Sequence, residues 1–146
     1  SNTMSNLLVQ NIKHTNNTSA QTIDTSGRTT AVLNNDTTYR SDGGAVTQNM
    51  VQGLCKAWSY YTTASSFTNH DSLNVSSLTD RGTGDCRLVF TNAFASVNRP
   101  QHGMSGSRHF SDGDASASYA NFVSADNNHS QEDTTRSSGM VSGDLA

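Results

Sequence analysis

A chain of 146 residues with a formal charge of −3 and 32% hydrophobic residues has the length of one domain with an appended segment, and less apolar material than the roughly 45–50% of an ordinary globular chain. Charged residues are also scarce, at 14%, which separates it from disordered chains, whose low hydrophobicity comes with high net charge. The pI near 5.9 excludes the basic field that nucleic acid needs, and no apolar run approaches the roughly 18 residues of a membrane span.

In chain order, Leu7 to Ile12 and Gln21 to Asp24 read as short strands, separated by polar Thr15 to Ser19 and closed by Ser26-Gly27. Two short strands do not make an independent domain, so residues 1–45 are expected to form an N-terminal docking arm with Leu8, Ile12 and Ile23 as its buried anchors. Val46, Met50 and Leu54 recur at fourfold spacing, which suits a short helix and equally a strand. Other helix support is thin, with Glu132 the single glutamate, so a heptad coiled coil is not expected. From there the pattern is strand after strand: Cys55 to Thr62, Leu73 to Thr79, Cys86 to Asn92 and Ala115 to Val123.

Strands interrupted by Gly, Asn and Asp favour an antiparallel β-sandwich over residues 46–125. Cys86, Leu88 and Phe90 alternate with Arg87, Val89 and Thr91, so a pleated strand sends the first three to one face, the expected core side. Trp58, Tyr60, Tyr119 and Phe122 are expected to join Leu88 and Phe90 there. Gln101 to Gly113 reads as a long loop, where binding is commonly placed. Residues 126–146 read as a polar C-terminal tail, with Met140, Val141 and Leu145 as its only apolar anchors.

Residue types offer little chemistry. His70-Asp71 amid serines lacks a Gly-x-Ser-x-Gly elbow, and a triad needs geometry rather than composition, so no enzyme is expected. Asp112-Gly113-Asp114 lacks the offsets of a calcium loop and reads first as a turn. His14 or His70 on a threefold axis could gather three imidazoles, but no metal and no cofactor is expected. Cys55 and Cys86, without CxxC spacing, read as small buried hydrophobes. Phe110, beside His109 in a segment poor in apolar residues, is the better candidate for an exposed binding aromatic.

Leu73 to Asn92 carries more than a hairpin. Asn74-Val75-Ser76-Ser77, Thr79-Asp80 and Gly82-Thr83-Gly84-Asp85 follow Lys56-Ala57-Trp58, and Leu8 to Asn16 with Thr22 to Arg28 open the chain. In that order these segments resemble the small tail-fibre-like structural proteins of bacteriophages, especially marine and cyanobacterial ones. The likeness covers about half the chain, departs at Ser59 to Ala64, where the family's Gly-Thr turn is missing, and fades after Phe94. It implies an all-β virion protein working as a homotrimer, on the tail or capsid surface, attached to other virion proteins through the N-terminal arm. It also implies host attachment through a bacterial surface glycan or protein, with Phe67, His70, His102, His109 and Phe110 as the displayed loop residues. A second expectation keeps the virion and changes the task, to a capsid decoration or head-fibre protein that stabilises the shell. The thin core independently favours an oligomer, because backbone ordering costs roughly 1–2 kcal/mol per residue and burial returns about 25 cal/mol per Å².

Overall fold

Two positive-φ glycines, Gly82 and Gly84, turn the chain back between Val75–Gly82 and Asp85–Phe90, which pair antiparallel as the turn chemistry predicts. The computed structural model that shows this describes residues 10–13, 15–17, 19–40, 42–105 and 109–146, without the side chains of 109–113. In chain order the elements are β1 (Asn11–Lys13), β2 (Ser19–Ile23), β3 (Thr29–Ala31), β4 (Thr38–Arg40), β5 (Thr47–Asn49) and α1 (Met50–Gly53). They continue as β6 (Cys55–Thr62), β7 (Thr68–Leu73), β8 (Val75–Gly82), β9 (Asp85–Phe90), β10 (Gln101–Ser105), β11 (His109–Ser116), β12 (Tyr119–Ala125) and β13 (Ser137–Ser142). Among the described residues the fold is all-β apart from the single turn of α1.

Residues from Cys55 onward build two four-stranded antiparallel sheets, ordered β10-β13-β6-β7 and β11-β12-β9-β8. Their inner faces share one core. Cys86, Leu88 and Phe90 of β9 and Ala120 and Phe122 of β12 meet Ala57 and Tyr61 of β6, Val141 of β13, and Phe94. The alternation read from β9 is therefore the observed one. On β6 the phase is the reverse of expectation: Ala57, Ser59 and Tyr61 are buried, while Trp58 is half-buried and Tyr60 exposed. The opposing sheet fills the interior with Phe122, Leu88 and Phe90 and leaves room on β6 for one ring, Tyr61, so Ala57 and Ser59 take the other inner positions and Trp58 and Tyr60 turn out. Tyr119 is half-buried rather than in the core, its ring covered by the Arg87 guanidinium at 3.7 Å.

The C-terminal segment read as a tail is a central strand, β13, hydrogen-bonded on both sides. Its inner residues, Ser137, Gly139 and Val141, are all buried. A Cβ on Gly139 would stand 2.7 Å from Phe122 Cε2, so the position must be bare for the ring to reach it. Upstream, Ser124 Oγ donates to the Glu132 carbonyl at 2.6 Å, and Gly84 N–H donates to Asp133 Oδ1 at 2.7 Å. The expected Gln101–Gly113 loop is likewise largely strand: β10 and β11 each pair along one side, as sheet edges that tolerate polar residues.

The described residues between 10 and 49 differ from an extended arm. β1, β2 and β3 form a three-stranded sheet, and β4 pairs with β5. The turn before β3 is an Asx turn: Asp24 Oδ1 accepts from the Ser26 and Arg28 amides at 2.8 and 2.9 Å, and Gly27 takes φ +75°. The Arg28 amide first, then the Arg28 guanidinium and the Ser26 amide, hold the Asp24 carboxyl below the usual carboxylate range. The Val46-to-Leu54 pattern resolves into both of its readings, strand β5 and then α1, capped by Asn49, whose side chain accepts from Gln52 N–H.

Candidate functional site

Strand register places a band of large side chains on the outer face of the first sheet. His102 pairs with Met140, Met140 with Trp58, and Trp58 with Leu73, giving one row across all four strands. The adjacent row runs Met104, Ser138, Tyr60, Asp71. Cross-strand partners in a sheet lie about 4.5–5.5 Å apart and project to the same side, so these residues form a continuous surface. Met104 is 76% exposed, Met140 49%, Leu73 47% and Tyr60 42%. A soluble monomer scatters such residues, whereas a contiguous apolar patch marks an interaction surface.

His70 lies at the rim of this face on β7, the outer strand beside β6. The ring is 5.3 Å from that of Tyr60, and Nε2 is 2.8 Å from Thr62 Oγ1. Because Thr62 uses its one hydroxyl proton to bond the Thr135 carbonyl at 2.9 Å, His70 donates from Nε2. His70 and His102 thus belong to ordered strands, not to loops, and flank the apolar rows from opposite edges. The side chains of His109 and Phe110 lie outside the described ones, although their backbone, in β11, pairs with Ala125 and Ser124 of β12. Leu8 lies outside the described residues. Ile12 is exposed and Ile23 half-buried, in β1 and β2, and they are not register partners.

Phe67 is also not a displayed tip. It is half-buried and packs against the core, where it forms one wall of a cleft of about 260 Å³. Asp80, Thr83, Asp133, Ser65 and Ser66 also line it. Three separate stretches meet there: the β6–β7 loop, the β8–β9 turn and the segment leading to β13. The turn fixes both carboxylates, since Asp80 Oδ1 accepts from Gly82 N–H at 2.9 Å and Asp133 Oδ1 from Gly84 N–H at 2.7 Å. Beneath, Thr63 Oγ1 accepts from Thr134 N–H at 2.8 Å, while Thr134 bonds the Ser137 hydroxyl. Sequence reading picked out Phe67 and the turn separately but had no signal that Asp133, about fifty residues on, joins them.

The outer face of the second sheet is charged. Asp114 Oδ2 receives Tyr119 O–H at 2.9 Å and lies 3.4 Å from Arg87 and 3.6 Å from Arg81. These contacts give Asp114 a structural role; the Asp112 side chain lies outside the described residues. No group of three His, Cys, Asp or Glu side chains suited to a metal occurs among the described residues. Cys86 is fully buried and Cys55 half-buried, and neither is in a disulfide. Burial, helped by the nearby Asp85 and Asp80 charges, pushes the Cys86 thiol up to about 12, which removes it as a nucleophile near neutral pH. No helix is long and apolar enough to cross a membrane among the described residues.

Comparison of the chain with protein-family models, with curated proteins and with solved structures returns no match.

Proposed function

We propose that this chain is a bacteriophage virion structural protein, a tail-fibre or fibre-like adhesin that assembles as a homotrimer and mediates attachment to the host surface. The observation that carries the reading is the apolar outer face of the first sheet, with Met104, Met140, Tyr60 and Leu73 open on a single chain. Methionine and aromatic side chains at the centre of a patch, with His70, His102 and Asp71 at its edge, are the composition of a protein interface. Closing a second copy over each half-exposed apolar side chain returns roughly 1 kcal/mol, the burial that a chain with only 32% hydrophobic residues lacks. The resemblance of the Lys56–Trp58 and Asn74–Asp85 segments to phage fibre proteins supplies the virion setting. Several copies per particle would then convert weak surface contacts into avidity gains of about 10²–10⁴.

The test uses phage particles made without the protein. Host attachment requires that they keep intact heads and lose adsorption to the cells on which the phage grows. Normal adsorption by particles whose heads break at lower temperature overturns this reading in favour of capsid decoration.

A further inference from the structure

We propose that the β1–β3 sheet of one copy packs over the apolar outer face of the first four-stranded sheet in a neighbouring copy, so that the trimer is a ring of identical head-to-tail contacts. Resting on the homotrimer reading, this packing names what covers the face around Met140. Among the described residues from 10 to 49, none is buried, and every residue of the shared sandwich core comes from Ala57 onward. A small sheet in water is stable only with a hydrophobic face packed on something. In a single chain β1–β3 lacks that second layer.

Register gives the small sheet two different faces. Ile12, Gln21 and Ala31 stand in one row, with Ile23 and Thr29 in the next row on the same side. Asn11, Thr22 and Thr30 form a row on the other side, where Thr22 Oγ1 donates to Asn11 Oδ1 at 3.0 Å. The apolar side matches the Met140 band in size. Both surfaces are two rows deep, and with strands about 4.8 Å apart the small sheet spans about 10 Å and the band about 14 Å. Sheets stacked face to face sit about 10 Å apart with their side chains interdigitated.

The chain does not close this contact on itself, since Ile12 is 50% and Met140 49% exposed in the same molecule. Charge favours a second copy over an ionic partner. Lys13, Arg28 and Arg40 balance Asp24, Asp36 and Asp42 across residues 1–49, which leaves no net field for a charged ligand to follow. Two outer faces meeting about a twofold axis would close at two copies and leave each β1–β3 sheet bare. A heterologous contact covers both surfaces with one interface and closes as a ring. Each copy in that ring carries the sheet its neighbour needs, held at high effective concentration.

Sedimentation velocity on the full chain tests the packing with I12E/A31E, M140E and T30E, the last on the polar side of the same small sheet. The parent is expected to sediment as a trimer. I12E/A31E and M140E should each remain single chains at concentrations about tenfold above those at which the parent assembles, and T30E should match the parent. Slow amide exchange in β9, β12 and β13 should persist in every variant, which separates a lost contact from unfolding. I12E/A31E keeps an intact acceptor face and M140E an intact donor sheet, so their equimolar mixture should contain a two-chain species that neither forms alone. Assembly of I12E/A31E at the parent's concentration overturns the proposal, as does a T30E chain that fails to assemble or a mixture without the two-chain species. Loss of slow exchange in I12E/A31E also overturns it, because the sheet would then support the core of its own chain. A monomeric parent refutes the packing, and adsorption by phage made without the protein judges the attachment reading separately.

Discussion

Replacing Gly139 with alanine asks whether the last strand is part of the core. The new Cβ would stand 2.7, 2.9 and 3.0 Å from three atoms of the Phe122 ring, closer than carbon atoms approach without repulsion. Phe122 is itself 1% exposed and enclosed by both sheets, so the ring has no free volume to retreat into. Overpacking of this kind costs about 1–3 kcal/mol, and a fully enclosed ring places G139A at the upper end, about 2–3 kcal/mol. F122L alone removes ring volume and is expected to cost about 1–2 kcal/mol. In the double variant the methyl enters space the ring has left, so the combined loss should fall short of the sum by about 1 kcal/mol or more. Urea titration of all four proteins, followed by tyrosine and tryptophan fluorescence, measures the cycle. Strict additivity, or a G139A cost below about 0.5 kcal/mol, would refute the packing of β13 against β12.

Gly84 is expected to be less tolerant still: with φ +68° and a Cβ 2.6 Å from Ser124 O and 2.7 Å from Glu132 O, G84A meets backbone that cannot rotate away. The loss should exceed about 3 kcal/mol, since left-handed strain alone costs roughly 1–2, and a melting temperature within a few degrees of the parent would contradict it. M140E puts a charge at the centre of the outer face without touching the core, so light scattering should show a smaller assembly with unchanged circular dichroism; an unchanged mass removes this face from the interface. Cys86 carries its proton more tightly folded than unfolded, so the unfolded chain releases it first as pH rises through about 9. The Cys86 contribution to stability should therefore be constant below pH 9 and decline by about 1.4 kcal/mol per pH unit between 9 and 12, with Tyr61, also raised by burial, adding to the decline above its ordinary value of 10. Denaturation midpoints of the parent and C86A across that range check it: the variant should lose the part of the slope that begins near pH 9.

The β8–β9 hairpin was legible because its information is local: a glycine-rich turn sits between two runs, and Cys86, Leu88 and Phe90 share a face wherever the strand packs. Trp58 and Tyr60 were misread because inward and outward on β6 are decided by the opposite sheet. Phe122 occupies the interior there, and a strand's own alternation of Ala57, Ser59 and Tyr61 with Trp58 and Tyr60 does not announce which set is displaced. β13 escaped notice for a related reason. Ser137 and Gly139 look like tail residues, yet small side chains are what the inner position requires beneath an aromatic ring. β7, β10 and β11 are edge strands whose polar residues resemble loop, and their pairing is set by partners far away in the chain. The same distance explains the cleft, where Asp80 was visible in the turn but Asp133 reaches it only through the fold.

Antibody-gold labelling of intact virions carrying the protein, viewed by electron microscopy, tests the central claim most directly. Attachment to the host predicts gold at the tail or along its fibres. Gold spread over the head surface, or virions that carry none, would contradict it.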